Sequence, residues 1–262
     1  AIIHSDSYFN DFDCLHDDWA NSGSKEITGL GGSSTLSVTI SDLSGRFPVN
    51  SLVSFVGSGG GGEGGEAISP EVARTILQRL LLSGAFAVED DLQAREIVDA
   101  LVDWLDSDDN ESEYGAEDSY YQSLDQPYLP RNGKMESPNE LRAVKGLTPE
   151  ILYGRDEKLP LAEYITVFGT DGKININTAD ALLLSVMHED TVTDDGELLA
   201  EYRSDESAVE LLEDSSWYKE VPDWPGNVTY DDKLITTKSS YFRIESTAEI
   251  GGMYMTTTAY VK

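Results

Sequence analysis

Seven carboxylates, Asp106, Asp108, Asp109, Glu111, Glu113, Glu117 and Asp118, fall within thirteen residues, and no Lys or Arg lies among them. Two carboxylates about 4 Å apart repel by roughly 4 kcal/mol at an effective dielectric near 20, so a folded turn of this composition either splays into water or encloses a cation. The spacing favours the cation. With Asp106 as the first position of a calcium loop of about twelve residues, Asp108 is third, Asn110 fifth, Ser112 seventh, Tyr114 ninth and Glu117 twelfth, the order of oxygen donors in an EF-hand. The sixth position holds Glu111 where an EF-hand needs Gly for its sharp turn, so the expectation is a calcium loop of a different backbone shape. The ordinary alternative is a solvated acidic run. Asp and Asn at alternate positions followed by a remote Glu are more ordered than acidity alone requires.

Other chemistries find little support. His4, His16 and His188 are the imidazoles, and none neighbours a Gly-x-Ser-x-Gly elbow. No Cys/His zinc spacing is present, and among 49 acids nothing singles out a glycosidase pair. The Gly-rich tract from Gly57 to Glu66 lacks the Lys and hydroxyl that end a phosphate loop, and reads as a flexible linker.

The acidic stretch must be held by its neighbours. A helix carrying Ile97, Leu101, Trp104 and Leu105 on one stripe runs directly into it. Before that, Ser69 caps a helix whose first residue is Pro70 and whose stripe is Val72, Ile76, Leu77, Leu80 and Leu81. After it comes a Pro- and Gly-rich loop, Gln126 to Gly133, in which Asn132 offers a further oxygen. Ser137-Pro138-Asn139-Glu140 is a capping box opening a third short helix, Gly146 ends it, and Thr148-Pro149-Glu150 caps a fourth.

Strands flank this helical region. Leu36, Val38 and Ile40 alternate with Ser37, Thr39 and Ser41, and Tyr164 to Phe168 is extended. Phe242, Ile244, Ala248 and Ile250 alternate up to a Gly251-Gly252 turn, and Met253, Met255 and Tyr260 continue the hairpin. Gly45-Arg46-Phe47-Pro48-Val49-Asn50-Ser51 and Gly172-Lys173-Ile174-Asn175-Ile176-Asn177-Thr178 share one pattern, which predicts two adjacent strands of one sheet with everything between them inserted. Tyr8, Phe9, Phe12, Leu15 and Trp19 suit the buried stripe of a helix end. Residues 178–213 read as helical, anchored by Leu182, Leu183, Val186, Val209, Leu211 and Leu212, and 221–226 as a loop.

The formal charge of −31, from 18 basic and 49 acidic residues, argues against nucleic acid and anionic membrane surfaces and for divalent metal. Leu141 to Leu147 and Ile174 to Ala179 look like pieces of DNA-gripping helix-hairpin-helix modules, but their acidic setting makes them packing units. Cys14 is the single cysteine, so no disulfide forms within the chain. No run of about 18 apolar residues exists, and Ala1-Ile2-Ile3-His4 reads as the interior of a longer chain.

These residues, in this order, resemble the GspK family, the large minor pseudopilins of bacterial type II secretion. The resemblance is carried by Trp19 with Asp17 and Asp18, Gly45 to Asn50, and Leu101 to Asp106 followed by Gly115-Ala116-Glu117-Asp118 and Tyr120-Tyr121. Pro127-Tyr128 to Asn132, Glu140-Leu141 to Gly146, Ile174 to Ala179 and Ser240 to Ile244 extend it over nearly the full length. Pro48 stands where the family usually has Asn, and the Gly tract is longer than expected. The resemblance implies an α+β pseudopilin fold, a long N-terminal helix packed on an antiparallel sheet, with a helical domain inserted between strands. The expected divisions are a first body segment over 1–66, an inserted calcium-binding helical domain over 67–163, and a second body segment over 164–262. The expected ligands of Ca2+ are Asp106, Asp108, Glu117 and Asp118, with Asn110 and Asn132. Expected partners are the I and J minor pseudopilins, together with secreted cargo, in a non-enzymatic pseudopilus tip. The place expected is the periplasmic side of a bacterial inner membrane, with an N-terminal anchoring helix that this sequence lacks. The rival reading is a calcium-dependent extracellular hydrolase or carbohydrate binder.

Overall fold

In a computed structural model of the protein, the described residues are 11–21, 24–27, 34–55 and 67–262. Alternation of apolar and hydroxyl residues builds the main sheet. Strands β1 (Ser24–Ile27), β2 (Ser34–Asp42), β7 (Phe242–Ile250) and β8 (Met253–Val261) lie antiparallel in the order β1-β2-β7-β8. The register sets Ile40 opposite Ile244, Asp42 opposite Phe242 and Phe242 opposite Val261. Gly251 and Gly252, with φ of 59° and 82°, supply the positive dihedrals of a two-residue hairpin turn.

Between these strands run two parallel pairs of two residues each: β3 (Phe47–Pro48) beside β4 (Ile165–Thr166), and β5 (Ile174–Asn175) beside β6 (Ile235–Thr236). The two similar segments are therefore not paired with each other, as the repeat predicted. Each takes a different partner, and Pro48, lacking an N–H, is followed by a 3-10 turn over Val49–Leu52.

The helices are α1 (Pro70–Leu81), α2 (Asp91–Leu105), α3 (Asp118–Gln122), α4 (Pro149–Tyr153), α5 (Ala181–Val186) and α6 (Thr193–Ser204), with 3-10 turns at Pro138–Ala143, Leu161–Glu163, Glu206–Glu213 and Trp217–Glu220. The Ser69, Ser137 and Thr148 caps form as the sequence predicts. One apolar cluster runs from Phe47 and Leu52 through α1, α2, α4 and α5 to Tyr230 and Ile235; a smaller one joins Trp19, Ile40 and Phe242 at the root of the sheet.

Three expectations change. Residues 11–20 form turns, not a helix end, because Asp17 accepts the Cys14 N–H at 2.9 Å and the Trp19 Nε1–H at 3.1 Å and so competes with helical bonding. Leu15 is exposed there, while Tyr8 and Phe9 lie outside the described residues. On α1 the buried stripe takes Ala73 and leaves Val72 exposed, and Leu211 is likewise outside the core. The Gly57 to Glu66 linker also lies outside the described residues.

Candidate metal centre

Helix α2 positions the acidic cluster. Its N-cap Asp90 accepts the Gln93 N–H at 2.9 Å, and Ala94, Ile97, Leu101 and Leu105 bury one face. Its last turn contains no basic residue and carries Asp103 and then Asp106 at the C-cap. A helix C-terminus has partial negative charge, so carboxylates placed there are destabilising unless a cation joins them. Glu117 arrives from the other side as the N-cap of α3, and its side chain makes no capping bond.

Carboxylate oxygens of Asp103, Asp106 and Glu117 lie within 4.8 Å of one another. Asp103 is fully buried, Glu117 is 3% exposed, and Asp106 is half-buried. Asp103 is well satisfied: it accepts from Ser112 Oγ at 2.5 Å, Ser112 N–H at 3.1 Å and Ala116 N–H at 2.8 Å. The other two are not. Asp106 Oδ1 and both Glu117 carboxylate oxygens are buried without a hydrogen-bond partner, a condition that costs about 1 to 3 kcal/mol per group or more when charged. Burial first, then Asp108 and Asp103, pushes Asp106 up to about 6. Burial, then Asp103, Asp106, Asp109 and Asp108, pushes Glu117 up to about 7. Burial also raises Asp103. Three clustered acids, two of them with orphaned oxygens, fit a hard divalent cation, whose ligands are oxygens of this kind.

The other expected ligands are placed unevenly. Asp108 and Asn110 are exposed; Asp108 Oδ1 accepts the Asn110 N–H at 2.9 Å and also the Asn110 amide, a local turn at the lip of the cluster. Asp118 begins α3 half-buried and accepts from Gln122 Nε2 at 3.3 Å. Asn132 stands at φ 46° with its Oδ1 buried and unpartnered, the same signature as Glu117. The sequence reading missed Asp103. Its signal was available: a carboxylate in the middle of Leu101-Val102-Asp103-Trp104-Leu105, three residues before Asp106 and so on the same side of the helix.

The frame around the cluster is aromatic and tight. Trp104, Tyr121 and Tyr128 pack in series, Trp104 edge-on to Tyr121 at 5.2 Å and Tyr121 tilted against Tyr128 at 5.2 Å. Lys145, from one of the helix-hairpin-helix-like pieces, donates to the Tyr114 and Gly115 carbonyls at 3.1 and 2.7 Å and so clamps the acidic loop. Gly115 is required by space, since a Cβ there would meet Asp103 Oδ2 at 1.9 Å.

Known proteins share this sequence and architecture. Residues 45–155 match the sequence model of "Type II secretion system (T2SS), protein K". The chain is 35% identical over 168 residues to type II secretion system protein K of Aeromonas hydrophila, covering 62% of this chain and 48% of that protein. It is 31% identical over 180 residues to the protein K of Pectobacterium carotovorum subsp. carotovorum, covering 66% and 51%. It thus spans about half the length of these relatives. A chain of the crystal structure of the GspK-GspI-GspJ complex from the enterotoxigenic Escherichia coli type 2 secretion system has the same fold, with a TM-score of 0.69 and 18% identity over 100% of this chain and 85% of that one. Mixed helix and sheet is thus the fold that this chain shares with a chain of that complex. Over residues 45–155, and in its partial matches to these relatives, the chain is similar to type II secretion system protein K.

Proposed function

We propose that the chain is the pseudopilin body of a type II secretion minor pseudopilin, a structural subunit of the pseudopilus tip on the periplasmic side of the inner membrane, assembling with the I and J minor pseudopilins. The support is the similarity of residues 45–155 to protein K together with the shared fold of a chain from the GspK-GspI-GspJ complex. Among the described residues no helix is long and apolar enough to cross a membrane. In this reading residues 67–163 form a helical insertion between the strands of the body. The relatives carry the names of secretion components, which favours a scaffold over the hydrolase or carbohydrate-binding reading.

The helical lobe, in the same proposal, is closed by Ca2+. Asp103, Asp106 and Glu117 would hold the ion, with Asn132, Asp108, Asn110 and Asp118 as the further candidates. Bound there, the ion supplies positive charge to three acids that otherwise repel one another. The observation that carries this is the set of buried carboxylate oxygens without partners on Asp106 and Glu117. Calcium that binds only the folded chain stabilises it by about 2.7 kcal/mol at a hundredfold excess over Kd. A melting scan in calcium against chelator tests the site, and equal midpoints would sink it. Assembly is tested separately by co-purifying the chain with I and J homologues; absence of a stoichiometric complex in calcium would count against the tip reading.

A further inference from the structure

Two clefts of about 390 and 470 Å3 open side by side where β7 and β8 meet the segment 160–173, sharing Arg46 and Phe168 in their walls. Their charge is opposite to that of the chain. Arg46, Arg243, Lys173 and Lys238 line them against Glu163 and Asp171, in a protein with 49 acids and 18 bases. The arginines are partly neutralised: Glu163 takes Arg46 at 2.6 Å and Arg243 at 2.8 Å, and Glu245 lies 3.3 Å from Arg243 Nε. The lysines are less so: among the described residues no salt bridge within 4.0 Å joins Lys173 or Lys238 to a carboxylate, although Asp171 lines the same cleft and Asp13 acts on Lys238 from beyond that distance.

Aromatic rings separate these cations. Phe168 stacks on Tyr241 at 5.7 Å and leans on Tyr260 at 5.2 Å, while the Lys262 ammonium sits 5.5 Å over the Tyr241 ring. We propose that the paired clefts dock an extended acidic peptide segment of another protein, its carboxylates at the lysines and its apolar side chains on the Phe168, Tyr241 and Tyr260 rings. Spaced cations with rings between them suit carboxylates alternating with apolar groups on one strand better than they suit a single compact anion. The surrounding negative charge adds selectivity. A broad acidic surface, including a second copy of this chain, is repelled by the rest of the molecule, whereas a thin segment enters the positive clefts and meets little of that field. This inference does not depend on the calcium site.

The test uses fluorescence anisotropy on the full chain in calcium buffer, with a labelled peptide of about ten residues alternating Glu with Leu, and its Gln counterpart. The Glu peptide is expected to bind at least about tenfold tighter than the Gln peptide at low salt and to weaken as salt rises. The double variant K173E/K238E, or the milder K173Q/K238Q, should cost about tenfold in affinity, while K134E, at an exposed lysine that lines neither cleft, should not. Equal binding of both peptides, or equal loss in K134E, overturns the proposal. So does competition by inorganic phosphate or a short oligonucleotide as effective as that by the unlabelled Glu peptide, since the clefts would then be a general anion site.

Discussion

Two regions of this molecule bury polar side chains, and they treat them differently. In the strand region Asn177 is fully buried, and every polar atom of its side chain is used. Its amide donates to the Asp13 carbonyl at 3.2 Å and the Leu212 carbonyl at 2.9 Å, and its Oδ1 accepts the Trp217 Nε1–H at 2.8 Å. Asn50, at the equivalent place in the other copy of the shared pattern, ties Met135 to Val167 in the same manner. At the end of α2 the buried oxygens of Asp106 and Glu117 have nothing to accept from. A satisfied buried polar group staples a fold, whereas an unsatisfied cluster of like charge calls for a partner from outside.

The comparison can be broken most forcefully at Asn177. Asn177→Ala takes the acceptor from the Trp217 N–H and the side-chain donor from the Leu212 carbonyl, leaving the Asp13 carbonyl to Asn175 alone, and should cost about 3 kcal/mol by denaturant unfolding, equally in calcium and in chelator. A loss that calcium repairs would erase the distinction between the regions. Next is Gly115→Ala, whose methyl would displace the Asp103 carboxylate; about 2 kcal/mol is expected in calcium, with a reduced calcium-dependent rise in the midpoint.

Glu117→Gln should reverse sign with conditions. In chelator it removes one of three crowded charges and raises the midpoint by about 2 to 4 °C; in calcium it lowers the midpoint relative to the parent. Calorimetry in both buffers checks the pair of signs, and a fall in both would mark Glu117 as structural.

The pH dependence of the chelated protein sharpens the same point. Asp106 and Glu117 have folded values raised to about 6 and about 7, above their unfolded carboxylate range. Their contribution to stability is therefore fully present below the unfolded values near 4 and is lost as pH rises through 6 to 7. The midpoint in chelator should fall between pH 5 and pH 8, and calcium should flatten that fall. Asp13, raised to about 6 chiefly by burial in the strand region, titrates in the same window and supplies a calcium-independent remainder. The smallest effect belongs to Asp109→Asn, an exposed position at the lip, where the midpoint in calcium should stay within about 1 to 2 °C of the parent.

Much of the frame was legible because short-range rules govern it. Ser69-Pro70, the capping box at Ser137 and the turn at Gly251-Gly252 each follow from a few adjacent residues, and each forms where the pattern puts it. The Leu36 to Ile40 alternation gave β2 directly. The apparent repeat misled because a run of glycine, apolar residues and asparagine specifies a short strand ending in a buried amide, but not its neighbour. Leu15 and Val72 were misplaced because helical spacing says which residues share a face, not whether anything covers it.

For the acidic lobe, linear order determined the concentration of like charge: seven acids in thirteen residues with no base among them repel when they fold together. Which acids converge was decided in three dimensions. Asp103 looks in the sequence like one more helix residue, and it meets Glu117 only because α2 ends, the chain reverses past Gly115, and α3 begins against the same turn. Charge is a property of composition and can be counted along the chain. Burial and the absence of a partner depend on what packs against each atom, and only the folded arrangement supplies that.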